Sequence, residues 1–457
     1  MSIQSLPAQA PPTPLAVPRA SQVQECLSED IIHLSEWRSS KVRAPRGIKG
    51  ASGGTVQAAN GYDDLPITGA WTPDDPPGNR QFAQLGGMKL EGGGQLPQTR
   101  LAYETWGTLN AERSNAVLVL HALTGDSHVC GEAGPGHVTP GWWNDIVGPG
   151  KAIDTDTFFV VAPNVLGGCQ GSTGPASLAP DGRAWGSRFP RLTTRDQVAC
   201  EARLSDYLGI DRWDLIIGGS LGGQRALEWG VMYPDRVRQL IVVASGAATT
   251  AEQAAWCHAQ LHVLELDPYF RGGDYYEAAP GEGPGRGLSL AREIAHTTYR
   301  SPNELDERFG AQAQNDFHSP LQGGSLAVQS YLEYHGAKLA KRFDAGSYRT
   351  LTRSMLTHDV GRGRGGIEAA LGTVTARTLV IGVDSDRLFF PSQSWQIEKN
   401  IPDARCYIIH SPHGHDGFLI ESAAVSGQIK DFLEDGRLPV RLPPRRPTFS
   451  ENVHYFE

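Results

Sequence analysis

Asp214-Leu215-Ile216-Ile217-Gly218-Gly219-Ser220-Leu221-Gly222-Gly223-Gln224-Arg225-Ala226-Leu227-Glu228-Trp229 changes character twice. Its first four residues read as a strand and its last seven as the start of a helix. Between them, Gly218–Gly222 fits G-x-S-x-G. The pentapeptide alone is weak evidence. A strand before it and a helix after it make a nucleophile elbow, a sharp turn that lifts a serine above the edge of a sheet. The flanking glycines permit that turn, and Gly222 and Gly223 let the helix pack close to the strand.

On either side lie short apolar runs: Ala116–Leu120, Phe158–Ala162, Leu215–Ile217, Leu240–Ala244, Leu379–Val383 and Cys406–Ile409. Each is nearly continuous in apolar residues, as strands buried on both faces of a parallel sheet are. Helical patterns such as Thr194–Leu208 and Gly223–Met232 separate several of them. The alternation predicts a doubly wound α/β sheet. The gap from Ala244 to Thr378 is too long for one crossover. It reads as the helices Thr250–Leu264, Leu288–Tyr299, Ser325–Leu339 and Ser347–His358, a lid over the C-terminal ends of the strands.

A serine needs a base, and the base an orienting acid. In this fold class they follow in the order Ser, acid, His. Asp384 and Asp386 follow the run Leu379–Val383; His413, His415 and Asp416 follow Cys406–Ile409. Position alone separates neither Asp384 from Asp386 nor His413 from His415. Two backbone N–H groups should form the oxyanion hole. Leu221, after the nucleophile, supplies one, and Leu123, in the loop after Ala116–Leu120, supplies the other.

The 457 residues carry a formal charge of −9, from 41 Lys and Arg against 50 Asp and Glu. An acidic chain suits phosphate backbones poorly, which argues against nucleic acid. Apolar runs are too short for a membrane span. The N-terminus lacks a basic region followed by an apolar stretch, so the expected compartment is the cytoplasm. Cys26, Cys130, Cys169, Cys200, Cys257 and Cys406 are scattered without a CxxC pair, which suggests neither a disulfide framework nor a zinc site. Gly361–Gly366 matches G-x-G-x-x-G but follows a helical pattern where the dinucleotide fingerprint needs a strand. No histidine spacing marks a metal site. The Pro-rich residues 1–65 read as a disordered extension. The core is expected over 66–247 and 373–438, the lid over 248–372 and an extended tail over 439–457.

The wider pattern resembles the homoserine O-acetyltransferases of the α/β-hydrolase superfamily, used in bacterial methionine synthesis. The resemblance runs from about Gly69 to Leu433. It is carried by Tyr103-Glu104-Thr105-Trp106-Gly107-Thr108-Leu109-Asn110, His121-Ala122-Leu123-Thr124-Gly125-Asp126, the run Asn164–Pro175, Gly219-Ser220-Leu221-Gly222-Gly223, Ala291-Arg292-Glu293-Ile294-Ala295-His296, Ser385-Asp386-Arg387-Leu388 and Gly414-His415-Asp416-Gly417-Phe418-Leu419. It implies Ser220, Asp386 and His415 as the catalytic triad. It implies Arg292 as the homoserine-binding cation, with Tyr299, seven residues on, lining the site. Asp416 follows the catalytic histidine. Leu221 departs from the family, where Met is more usual.

The chemistry fits. Homoserine is a zwitterion, and a site for it needs a cation for the carboxylate and an anion for the ammonium. Arg292 can bind a carboxylate bidentately, and Asp416 can accept from the ammonium, or else cap the helix after it. The resemblance implies acetyl-CoA as donor, no cofactor beyond it, and a homodimer formed through the lid. It also gives His358–Arg362 either a structural role or one with the CoA phosphates. Succinyl-CoA as donor, serine as acceptor, and plain ester hydrolysis are the competing readings.

Overall fold

Eight strands form one sheet in the computed structural model, which describes residues 65–314 and 320–435. The expectations for residues 1–64 and for the tail 439–457 lie outside the described residues. The strands are β1 (Gln81–Lys89), β2 (Gln95–Trp106), β3 (Ala116–Leu120), then, after the two-residue pair β4 (Val147–Gly148) and β5 (Ile153–Asp154), β6 (Phe159–Pro163), β7 (Trp213–Gly219), β8 (Val237–Val243), β9 (Arg377–Val383) and β10 (Ala404–Ile409). Their order across the sheet is β1-β2-β6-β3-β7-β8-β9-β10. From β6 through β10 every pairing is parallel, so the loops after β3, β7, β9 and β10 open at one edge.

Sequence reading missed β1 and β2, which pair antiparallel with two irregularities around Gly86. β1 is an edge strand that buries only Ala83 and Met88, so it has no continuous apolar run to see. The central strands behave otherwise. In β3, Leu118 and Leu120 join one core with Ile216, Leu240, Val242 and Trp229, while Val117 and Val119 join another with Leu215, Ile217, Val243 and Phe432. Successive residues serve opposite faces, so each face needs its own cover. Helices α1 (Thr194–Leu208) and α2 (Leu221–Met232) contribute Leu204, Leu227 and Trp229 to the first. α1 begins at a capping box, Thr193 with Asp196.

Between β8 and β9 lie α3 (Ala251–Leu266), α4 (Gly285–Tyr299), α5 (Pro302–Arg308), α6 (Ala327–Arg342), α7 (Ala345–Leu356) and α8 (Ile367–Leu371). After β9 come α9 (Pro391–Asn400), α10 (Gly417–Ile420) and α11 (Ser422–Asp435). A third core joins Cys257, Leu264, Leu288, Ala291, Leu339 and Leu351 from these inserted helices to Leu123, Leu221 and Val165. The side chains of both oxyanion-hole candidates are therefore part of the packing between insert and sheet.

The run His358–Arg364 is fastened to the core by side-chain contacts. His358 is buried, with Thr194 Oγ1 3.3 Å from Nδ1 and the Gly246 carbonyl 3.1 Å from Nε2. Arg362 pairs with Glu91 and Arg364 with Glu228, each at 2.8 Å. These ion pairs bind the end of the insert to the core.

Arg225 has a different task. It is fully buried, pairs with Glu201 Oε1 at 2.5 Å and donates to the His121 carbonyl at 2.6 Å. Trp229 Nε1 donates to the other Glu201 oxygen at 2.9 Å. Burial pushes the Glu201 carboxyl upward, with Arg225 opposing. Arg225→Met is expected to lower stability by about 3–5 kcal/mol, because it leaves a buried charge unpaired. Arg225→Met with Glu201→Gln should lose less than the single change. Guanidinium unfolding midpoints check both.

Candidate active site

Ser220 sits between β7 and α2 with φ 57° and ψ −122°, outside the conformations that L-residues normally adopt. Its own amide donates to the Val243 carbonyl at 2.9 Å, and Ser245 Oγ donates to its carbonyl at 2.8 Å. A Cβ on Gly222 would lie 2.0 Å from the Leu120 carbonyl oxygen, and one on Gly219 would lie 2.5 Å from the Phe418 ring. The glycines around the serine are thus contact surfaces for β3 and for the loop carrying His415.

Ser220 Oγ is 3.0 Å from His415 Nε2, and His415 Nδ1 is 2.7 Å from Asp386 Oδ2. The other Asp386 oxygen accepts from the amides of Leu388 and Phe389 at 2.8 and 2.9 Å. An Asp386 that only accepts fixes the proton on His415 Nδ1 and leaves Nε2 free to take one from serine. The pairs that position left open separate here. Asp384 accepts from the Ser411 amide and contacts His410. His413 faces Glu304 at 3.3 Å and Glu421 at 3.9 Å. Neither reaches Ser220.

Burial lowers the basicity of His415, but Asp386 and, further off, Asp416 outweigh it and leave the imidazole above its ordinary pKa of 6.5. His121 shows the opposite balance. Burial and the Arg225 guanidinium push it down to about 3, so it is neutral. Its Nε2 accepts from the Val165 amide at 3.0 Å, which leaves Nδ1–H to donate to the Ala122 carbonyl at 2.7 Å. With Arg225 on its carbonyl, this residue fixes the start of the loop that carries Leu123. Leu123 and Leu221 donate their amides to no protein acceptor among the described residues.

Arg292 and Tyr299 share a face of α4, with the guanidinium 4.8 Å from the ring centroid. The Tyr299 ring lies 5.8 Å from His415, so the arginine stands one side chain from the triad. Arg292 Nε is buried without a hydrogen-bond partner. Asp416 occupies the N-cap position of α10, but its side chain makes no capping bond. It pairs with Arg300 Nε at 3.2 Å, which rules out the capping alternative. Sequence reasoning missed Arg300, because it falls just past the end of α4 and belongs to no motif.

Glu104, His128 and His137 also come together, with ligand-type atoms within 4.8 Å of one another. The two imidazoles stack at 3.8 Å and 11°, so an ion in the plane of one ring lies out of the plane of the other. Glu104 instead pairs with His128 at 3.1 Å and accepts from Ser127. As arranged, both imidazoles face one Glu104 oxygen, His128 Nδ1 at 3.1 Å and His137 Nε2 at 3.5 Å.

The model for the alpha/beta hydrolase fold matches residues 115–421. A homoserine O-acetyltransferase of Thermobifida fusca is 59% identical over 371 residues, 81% of this chain and 97% of its own length. The chain belongs to the homoserine O-acetyltransferase family. Among solved structures, the family's member from Bacillus anthracis has a TM-score of 0.72 and 26% identity, over 78% of this chain and 97% of that one. Esterase E22 has a TM-score of 0.71 and 28% identity, over 78% and 99%. The overall fold therefore does not separate acyl transfer from hydrolysis; the side chains around Ser220 must.

Because His415 acts as a base only when neutral, activity should fall with decreasing pH through a pKa above 6.5. In Asp386→Asn that limb should move to lower pH, with kcat reduced by roughly 10⁴. Profiles of kcat/KM against pH for acetyl-ester cleavage check both.

Proposed function

We propose that the protein transfers an acetyl group from acetyl-CoA to the hydroxyl of L-homoserine, giving O-acetyl-L-homoserine for methionine biosynthesis. The observation that carries this reading is the hydrogen-bonded Ser220–His415–Asp386 chain beside an unpartnered Arg292 Nε and the carboxylate of Asp416. The 59% identity to a named acetyltransferase supports it.

Ser220 Oγ attacks the thioester carbonyl as its proton passes to His415 Nε2. The Leu123 and Leu221 amides stabilise the oxyanion, usually the largest contribution in such reactions. The carbon–sulfur bond breaks, His415 returns the proton to sulfur, and acetyl-Ser220 remains. Homoserine then binds with its carboxylate on Arg292 and its ammonium on Asp416. His415 takes the hydroxyl proton as the homoserine oxygen bonds to the acetyl carbon, the bond from that carbon to Ser220 Oγ breaks, and His415 returns the proton to Ser220. The reaction uses no cofactor beyond the acyl donor. An esterase has no need of the zwitterion clamp, which is why we favour transfer to an amino acid over hydrolysis.

We also assign the reaction to the cytoplasm and the enzyme to a homodimer. The five described cysteines are free. No helix among the described residues is long and apolar enough to cross a membrane. Leu266, Leu290 and Tyr334 on the inserted helices are exposed, which suits a subunit contact there.

Thiol release from acetyl-CoA and succinyl-CoA, each with homoserine, with serine or with no acceptor, tests the assignment. Release is expected only with acetyl-CoA and homoserine together, and Ser220→Ala should abolish it. Equal release without an acceptor would make the protein a hydrolase. Arg292→Ala should raise the homoserine KM about 10–100-fold, the worth of a hydrogen bond to a charge. The acetyl-CoA KM should stay within about threefold if binding of the two substrates is separate.

A further inference from the structure

We propose that Arg300 is a positioning residue for the acceptor: it holds one oxygen of Asp416 and leaves the other facing the site for an ammonium group. The inference rests on the transferase reading above.

Arg300 is the C-cap of α4, where the chain leaves the helix in an extended conformation, φ −107° and ψ 148°. Its side chain is 12% exposed and that of Asp416 16%. Nε lies 3.2 Å from Asp416 Oδ2, an ion pair without hydrogen-bond geometry, and Nη1 donates to Glu304 Oε1 at 3.1 Å. Glu304 in turn faces His413 Nδ1 at 3.3 Å. Asp416, Arg300, Glu304 and His413 thus form a continuous chain of polar contacts across α4, α5 and the loop after β10.

The backbone beneath this chain is close-packed. Ser301 Oγ donates to the Pro412 carbonyl at 2.5 Å, and a Cβ on Gly414 would lie 2.6 Å from the Ser301 nitrogen. The end of the inserted helix and the loop of His415 are therefore in direct contact, and Arg300 bridges them.

Asp416 makes no side-chain hydrogen bond to another described residue, and its carboxylate oxygens are not sealed from the surroundings. Burial favours the neutral acid at this position, and Arg300 first and Arg292 second favour the anion. A neutral acid cannot attract an ammonium ion. Arg292 stands over Tyr299. The two arginines divide the work: Arg292 is left for the acceptor's carboxylate, and Arg300 keeps Asp416 charged and oriented.

The test is steady-state kinetics of Arg300→Met and Arg300→Lys, with both substrates varied, alongside the acylation burst with p-nitrophenyl acetate. Arg300→Met should raise the homoserine KM at least about tenfold, as loss of a charge-assisted contact does. Burst rate and acetyl-CoA KM should stay within about twofold, since Asp416 contacts only the acceptor in this scheme and is a minor influence on His415 beside Asp386. Arg300→Lys, which keeps the charge but not both contacts, should recover part of the lost homoserine affinity. If the methionine variant does not fold, Arg300→Gln, which lacks the charge but keeps donors, should show the same rise. An unchanged homoserine KM overturns the proposal. So does an equal loss of burst rate and homoserine affinity that lysine fails to rescue, which would mean that Arg300 only holds the two segments together. Failure of the functional reading looks different: wild-type enzyme would release thiol equally with and without homoserine. That result would remove this proposal as well.

Discussion

The backbone of Ser220 is held at a positive φ, and much of the site follows from that constraint. A residue with a side chain resists this conformation, so the surroundings must impose it. Here β7 ends and α2 begins within one residue, and the helix approaches the end of β3 so closely that position 222 admits only glycine. The same approach brings Leu221 beside the loop of Leu123. Arg225, one turn along α2, ties down that loop through the His121 carbonyl. One tight turn thus sets the nucleophile and, through the helix that follows it, both candidate oxyanion donors.

The inserted helices are bound to this centre in two ways. Their core includes the Leu123 and Leu221 side chains, so a shift of the insert is felt at the oxyanion hole. The end of α4 rests on the His415 loop, where Ser301 meets Pro412 and Gly414. The helix that carries Arg292 and the loop that carries His415 therefore form one packed unit. Rigid support of this kind matters for transfer, because an alcohol must compete with water for an acyl-enzyme in a site of fixed geometry. The Leu221 departure is mild in this light: leucine and methionine have similar volumes, and such exchanges are well tolerated in a core.

The likeness to both an acetyltransferase and an esterase, at nearly the same TM-score, illustrates how little a fold says about the acceptor. Sheet, elbow and triad are shared equipment for acyl chemistry. In our proposal what bears on the acceptor is a handful of charges beside them: Arg292, Asp416 and Arg300.

The sequence by itself determined the central sheet, because strands buried on both faces must be apolar at every position, and β3 and β7 through β9 announce themselves that way. It singled out Ser220 as the candidate nucleophile, because the elbow needs strand, glycine-flanked serine and helix in immediate succession. It could not show β1 and β2, whose half-buried, bulged edges lack an apolar run. Nor could position alone separate Asp386 from Asp384 or His415 from His413. Two residues of offset turn a side chain toward a different neighbour, and only resemblance to a family chose between them before the fold did. The tertiary structure decided those partners, and it alone brought Arg300 to Asp416 and Arg225 to His121. Such pairs join residues about one hundred positions apart, held by electrostatics across packed elements, and contacts of that range leave no local period for a sequence to display.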